Sequence, residues 1–368
     1  MATGSRSRAE IRSLTGLRGV AASFVVFYHA LHSGPAIAGI LLDKGYLCVD
    51  LFFVLSGYVM ALNYRPLFSD GQGSFGNYFK FLWLRFARIY PLYFAITLVV
   101  AAANVAGLMP LFDVPQLWSA LIWNLLLLQG MSFGAGNVNL AAWSISTEWF
   151  AYLAFPALVG FILKGSETRV WWSAGFAVAA LILVVALGPA AQPAIDGPLS
   201  VFGTNTPAPI LRCLGGFALG MAIFGLKDSR FADWFSSRPL YADIVAGAMV
   251  VTLFLPQGDV PFVVLCALFI LHLSKAQESG TSQFLSGGLA YYLGEISYSL
   301  YLVHVPVILI LRHFFEARGW SWTIASCLGI IFSFALAPLA YRSIELPGRK
   351  LLRSMTPGKA WQKSAAAP

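Results

Sequence analysis

Ten long apolar runs succeed one another along this chain, at 13–33, 45–64, 89–108, 143–163, 170–188, 208–226, 240–256, 260–274, 288–311 and 320–341. A helix needs about 20 mostly apolar residues to cross a hydrocarbon core about 30 Å thick. Within that core every backbone N–H and C=O must find a partner, which leaves helices and closed barrels as the only spanning structures. The runs are continuous and do not alternate every second residue, so a membrane β-barrel is excluded. Of the 368 residues 58% are hydrophobic and only 11% charged, whereas soluble domains carry about one quarter charged residues. The expectation is an all-α polytopic membrane protein.

An eleventh apolar run, 116–130, is shorter, and the distribution of Lys and Arg decides its status, because cations gather on the cytoplasmic side. As a full span it would put Lys164, Arg169, Lys227, Arg230, Arg238 and the basic tail after Tyr341 outside, against the basic first loop. As a re-entrant or interfacial segment it leaves about ten transmembrane helices with both termini cytoplasmic, and only Lys44, Arg312 and Arg318 as outer loop cations. The formal charge of +8 is thereby an orientation signal rather than the footprint of a nucleic-acid partner. The expected layout is a membrane-embedded domain at 11–348 with short cytoplasmic tails at 1–10 and 349–368, and a Pro- and Gly-rich outer connection at 189–207. The basic opening and Ala36–Ile37–Ala38 imitate a signal peptide and its cleavage site, but the run between them is too long and carries Arg18 and His29. Cys48, Cys213, Cys266 and Cys327 lack metal-ligand spacing and read as small buried hydrophobes.

Ionisable side chains within spans are costly and are functional candidates by default. Arg18 and His29 share one face of the first span, about 16 Å apart along its axis. They would set a cation near the cytoplasmic mouth and an imidazole near the outer end of one polar track. Asp50, in CVDLFFVLSGY, and Glu148, in WSISTEWFAY, should occupy the same layer as His29. A carboxylate beside an imidazole orients it as a general base; a buried ion pair that fixes helix packing is the structural alternative. His304 lies somewhat deeper, and Arg212 and Glu295 are intramembrane residues suited to pairing or substrate contact. Ser144, Ser146, Ser297 and Ser299 suit hydrogen bonds between helices. On the cytoplasmic face Arg85 and Arg88 are helical neighbours. Two guanidiniums there suit a phosphate-bearing ligand, or anionic lipid headgroups.

LTGLRGVAASFVVFYH, CVDLFFVLSGY, the Arg85-x-x-Arg88 pair running into IYPLY, WSISTEWFAYLAFP, ISYSLYLVHVP and the closing YRSIELP occur in this order. In that order they resemble the motifs of acyltransferase family 3, bacterial integral membrane acyltransferases that modify surface glycans and some small molecules. Ile145 and Thr147 stand where the family commonly has aliphatic Leu and Val. The resemblance implies an acyltransferase of the bacterial inner membrane, with acyl-CoA, acetyl-CoA foremost, as cytoplasmic co-substrate. It implies O-acetylation of a glycan or lipid-linked saccharide acceptor at the extracytoplasmic side, as in polysaccharide modification, and no metal. By position it implies His29 as catalytic base, Asp50 or Glu148 as its orienting carboxylate, and Arg18, Arg85 and Arg88 as acyl-CoA-binding residues. His304 and Arg212 are possible additional site residues. Direct transfer and a transient acyl-histidine both fit. Some relatives carry a fused hydrolase-like domain after the last span; here a short tail follows, and a second transfer step would need a separate partner. Two alternatives remain open at this point: a transporter or flippase of a glycan precursor, since a polar track also describes a permeation route, and a succinyl or longer-chain acyltransferase.

Overall fold

The computed structural model describes residues 11–32, 42–68, 74–131, 136–191, 197–201, 206–275 and 278–356. The tail at 1–10, Ala36–Ile37–Ala38, residues 192–196 and 202–205 of the 189–207 connection and the chain after residue 356 lie outside the described residues. Among the described residues there is no strand. The helices are α1 (Arg12–Leu31), α2 (Cys48–Tyr64), α3 (Phe75–Val105), α4 (Val114–Leu125), α5 (Trp143–Leu158), α6 (Glu167–Ala191), α7 (Ala208–Leu226), α8 (Arg230–Ser236), α9 (Leu240–Leu253), α10 (Asp259–Ser274), α11 (Gly280–Ser286), α12 (Gly288–Glu295), α13 (Ser297–Glu316), α14 (Trp322–Ala340) and α15 (Leu346–Ser354). Eight helical segments among the described residues are long and apolar enough to cross a membrane, and α9 and α10 are shorter apolar helices. The all-α polytopic expectation holds.

Four runs differ in their boundaries from the sequence reading. The run expected at 89–108 belongs to a helix that begins at Phe75, where the Ser74 hydroxyl accepts the Asn77 N–H at 3.2 Å and caps it. Rings at Phe79, Trp83, Phe86 and Tyr90 stack along its first half, so this polar–aromatic stretch stays helical despite its Lys and Arg. Arg85 and Arg88 are consequently inside α3 rather than ahead of it. The run at 288–311 is broken at Ile296 (φ −90°, ψ 2°) into α12 and α13. The 240–256 and 260–274 runs shorten to helices of 14 and 16 residues.

The short run at 116–130 contains α4, whose 12 residues are about 18 Å long and do not span a bilayer. Its C-terminal carbonyls are satisfied by α3, with Tyr90 Oη donating to Leu125 O at 3.0 Å and Tyr93 Oη to Asn124 O at 2.6 Å. Leu127, at φ +59°, then turns the chain back. Trp118 and Ile122 point outward, as a half-inserted segment requires.

Small residues bring the central helices into backbone contact. A Cβ added to Gly57 of α2 would lie 1.9 Å from Phe217 O of α7, and one on Gly220 of α7 1.9 Å from Val54 O of α2. The same approach joins α1 to α12, where a Cβ on Gly294 would meet Thr15 O at 2.0 Å. In lipid, where apolar burial does not drive helix association, such close approach supplies packing and interhelical contacts. Gly220→Leu is therefore expected to lower thermal stability in detergent by about 1–3 kcal/mol or prevent folding. Gly247→Leu, with nothing within 4 Å of the added carbon, is the control and should leave the melting temperature unchanged.

Candidate active site

The helices α1 and α13 lie side by side and tie together two polar stations. At one end Arg18 Nη2 donates to Ser297 Oγ at 3.0 Å, and Ser297 Oγ donates to Gly294 O at 2.7 Å. At the other, His304 Nε2 is 3.2 Å from His29 Nδ1. His29 Nδ1 is also 3.0 Å from Val25 O, and His304 Nδ1 is 3.2 Å from Leu300 O. A carbonyl only accepts, so both neutral rings carry their proton on Nδ1. His304 Nε2 then accepts from His29 Nδ1–H, which orients the His29 ring. Arg312 closes this end by donating to His29 O at 3.0 Å and Ala30 O at 2.8 Å. There a cation also complements the negative end of the α1 dipole.

Between the stations lies an elongated cavity of about 180 Å³. It runs along α2 from Val49 to Met60, about 16 Å of helix. Arg18, Arg85, Arg88 and Glu148 line it together with Tyr152 and Tyr298. Arg85 Nη2 donates to Tyr64 Oη at 3.0 Å, and its guanidinium carbon lies 4.9 Å above the Tyr64 ring. Arg88 pairs with Glu345, whose second oxygen accepts from Ser299 Oγ at 2.6 Å. Glu148 accepts from Tyr152 Oη at 2.6 Å. The far wall is Phe52, Ser144 and Tyr301, and the Tyr301 ring contacts the His304 ring at 5.7 Å. One aromatic layer therefore separates the cationic cavity from the histidine pair.

Two expectations change. Neither carboxylate proposed to orient the imidazole is the ring partner seen at His29; His304 takes that place. Both Asp50 oxygens are held by Arg212, with Nε to Oδ1 at 2.8 Å and Nη2 to Oδ2 at 2.6 Å. Arg212 Nη2 also donates to Tyr46 O at 3.1 Å, and the guanidinium lies over the Tyr46 and Trp143 rings. Asp50 is fully buried and Arg212 1% exposed, so this pair fastens α2 to α7 in the manner of the structural alternative. Glu148 lies in the cavity with the arginines instead. Ser297 and Ser144 serve the site as well as helix packing, through Arg18 and through a 2.8 Å bond to Tyr301 Oη.

Sequence reasoning passed over Glu345, although YRSIELP contains it, and Asp259, which sits at a helix start. Asp259 binds Lys44 and Tyr46 Oη and accepts Leu199 N–H at 2.9 Å. Lys44, placed outside as a loop cation, is thus buried against it. Glu295 accepts from Tyr341 Oη at 3.3 Å. Cys48, Cys213 and Cys266 are buried and Cys327 exposed. Among the described residues no three His, Cys, Asp or Glu side chains gather as a metal site.

A family model described as an acyltransferase domain matches residues 11–342. The acyltransferase MdmB of Streptomyces mycarofaciens is 30% identical over 374 residues, covering 94% of this chain and 93% of that protein. The peptidoglycan O-acetyltransferase OatA of Listeria monocytogenes is 25% identical, covering 94% of this chain and 56% of its own length. The O-acetyltransferase OatA of Staphylococcus aureus is 25% identical, covering 92% and 57%. The chain thus spans a little over half the length of the OatA relatives. No solved structure matches.

The buried ion pair generates a prediction that separates fastening from chemistry. Arg212→Leu leaves the Asp50 carboxylate buried without its partner and should cost about 3–5 kcal/mol. Replacing both, Asp50→Leu with Arg212→Leu, should restore much of that stability. Thermal denaturation of the purified variants in detergent checks this; equal melting temperatures for wild type and Arg212→Leu would show the pair is not a fastening.

Proposed function

The chain belongs to acyltransferase family 3 and is a membrane O-acyltransferase, and from that premise we propose that it moves an acyl group from a cytoplasmic acyl-CoA to a hydroxyl at the extracytoplasmic side. The donor is acetyl-CoA, the acceptor a surface or exported glycan, and the location the inner membrane of a bacterium. The observation that carries this reading is the serial order along α1 and α13: a cationic cavity at Arg18 and Ser297, then Tyr301, then the His29–His304 pair. The names of the OatA relatives favour O-acetylation of a glycan. The transport reading gives way to the family.

In this reading Arg18, Arg85 and Arg88 meet the anionic part of the donor through charge-assisted bonds. Glu148, held by Tyr152, faces the same cavity and is set to accept from amide N–H groups of the pantetheine arm. The thioester is brought past Tyr301 to His29. His29 Nε2 takes the proton of the acceptor hydroxyl while that oxygen attacks the thioester carbonyl. The C–O bond forms, the C–S bond breaks, and the proton passes from His29 to the departing thiolate. His304 acts through His29 by holding its ring in place, the part an orienting carboxylate plays elsewhere. Asp50 and Arg212 hold the scaffold.

Inverted membrane vesicles supplied with radiolabelled acetyl-CoA test the assignment. His29→Ala should abolish label transfer to glycan at unchanged protein abundance, and undiminished transfer would overturn it. His304→Ala should lower kcat about 10²-fold or more at similar donor KM. Arg85→Ala should act the other way, raising the donor KM about tenfold at similar kcat. NMR of surface glycans with and without the gene identifies the acceptor through its lost O-acyl groups.

A further inference from the structure

The cavity is far smaller than the several hundred Å³ that pockets for drug-sized ligands occupy. A narrow, elongated space of that size admits the pantetheine arm of coenzyme A and leaves the nucleotide, with its phosphates, at the mouth. Beside the arginines of that cavity packs α15, beyond the residues that the family model matches. It is seated on α3 by Trp83 Nε1, which donates to Leu352 O at 2.8 Å, and by Gly348, where an added Cβ would lie 2.5 Å from Pro91 Cβ. Leu351, Met355 and Lys350 face outward. Arg349 and Arg353, four residues apart and so neighbours on one flank, are half-buried.

That flank joins the arginines of the cavity. Arg353 lies in the electrostatic field of Arg349, Arg85 and Arg88, and Arg349 in that of Arg88 and Glu345. Arg88 is spoken for by Glu345, and Arg18 donates to Ser297. By contrast, the Nε atoms of Arg85 and Arg353 are buried with no hydrogen-bond partner. A buried guanidinium N–H without an acceptor costs about 1–3 kcal/mol or more, since the group is charged. Five guanidiniums held together against Glu148, Glu295 and Glu345 leave positive charge in excess. Unpartnered donors within that excess are the signature of a site for a polyanion.

We propose that Arg349 and Arg353 of α15, with Arg85 behind them, bind the nucleotide phosphates of the acyl-CoA donor at the mouth of the cavity. The inference rests on the donor reading above. Anionic lipid headgroups share the phosphate chemistry, but Lys350, not the arginine flank, faces outward toward them.

The test uses the full-length protein purified in neutral detergent, with binding of coenzyme A, 3′-dephospho-coenzyme A and acetyl-pantetheine measured calorimetrically. Wild type should bind coenzyme A at least tenfold more tightly than acetyl-pantetheine, with dephospho-coenzyme A between. Arg349→Gln with Arg353→Gln should weaken coenzyme A at least tenfold and leave acetyl-pantetheine unchanged. The corresponding double Lys variant should recover most of the loss. Should the double Gln variant not fold, Arg353→Gln alone is read in the same way. If wild type binds coenzyme A and the Gln variants bind it equally well, the assignment of α15 is overturned while the donor reading stands. If wild type does not prefer coenzyme A over acetyl-pantetheine, the donor reading fails and the inference with it. If the Gln variants keep coenzyme A affinity but lose thermal stabilisation by added phosphatidylglycerol, the arginines serve lipid and the proposal is overturned.

Discussion

A charge taken out of water must be met by a partner, and in this protein that requirement organises both the scaffold and the site. The desolvation penalty of an isolated buried ion amounts to several kcal/mol, so each buried cation has a specific answer. Arg212 is bound by two oxygens of Asp50, Lys44 by Asp259, Arg88 by Glu345, and Arg312 by the last carbonyls of α1. Each answer joins segments far apart in sequence. The pairs thus act as registers that set which turn of one helix faces which turn of another. Arg85 and Arg353 are the departures, since part of each guanidinium is buried without an acceptor. Where the rule of pairing is relaxed, the phosphates of the proposed donor would complete it.

Close backbone approach makes those pairings possible. Asp50 and Arg212 meet because Gly57 and Gly220 let α2 and α7 come together along the same contact. Arg18 reaches Ser297 because Gly294, just before the break at Ile296, lies against Thr15 of α1. That break also lets α13 start afresh beside α1, so that Ser297 and His304 match Arg18 and His29 in order. A continuous helix from 288 to 316 would carry no such freedom to reset its direction.

Much of this was legible in the sequence, and the limits have physical causes. Apolar runs revealed the spans because length against bilayer thickness is a one-dimensional property. The cation count identified 116–130 as too short to cross, and α4 is indeed a half-helix. Arg18, His29, Arg85, Arg88 and Glu148 stood out as ionisable groups in or beside apolar surroundings, and four of these five line one cavity. Pairing, by contrast, depends on the rotation of each helix, which depth along a span does not specify. Depth along the spans puts Asp50 and His29 in one expected layer, yet Asp50 is bound to Arg212 of α7 and His29 to His304 of α13. Glu345 and Asp259 were missed because they sit where apolar runs end or begin, and terminal carboxylates look solvent-exposed. The start of α3 was misplaced because a hydropathy window reads Lys and Arg as an end, whereas aromatic stacking keeps that segment helical.

The replacement of a carboxylate by His304 beside His29 follows from the same electrostatic constraint. A carboxylate at that position would be a permanent charge inside α13, needing its own hydrogen bonds, as Asp50 needs Arg212. A neutral imidazole with Nδ1 tied to Leu300 O orients His29 equally well and adds no charge to the resting site. The charge arises only when His29 accepts a proton. In the proposed direct transfer it is discharged as soon as the thiolate departs, so the enzyme stabilises it only during the reaction. The donor end is the opposite case. In the proposed reading the coenzyme brings several negative charges of its own, and permanent cations suit it because like charges on each partner lose their repulsion on binding. The two stations along α1 thus differ in kind: standing positive charge gathers around Arg18, whereas His29 sits against a second imidazole.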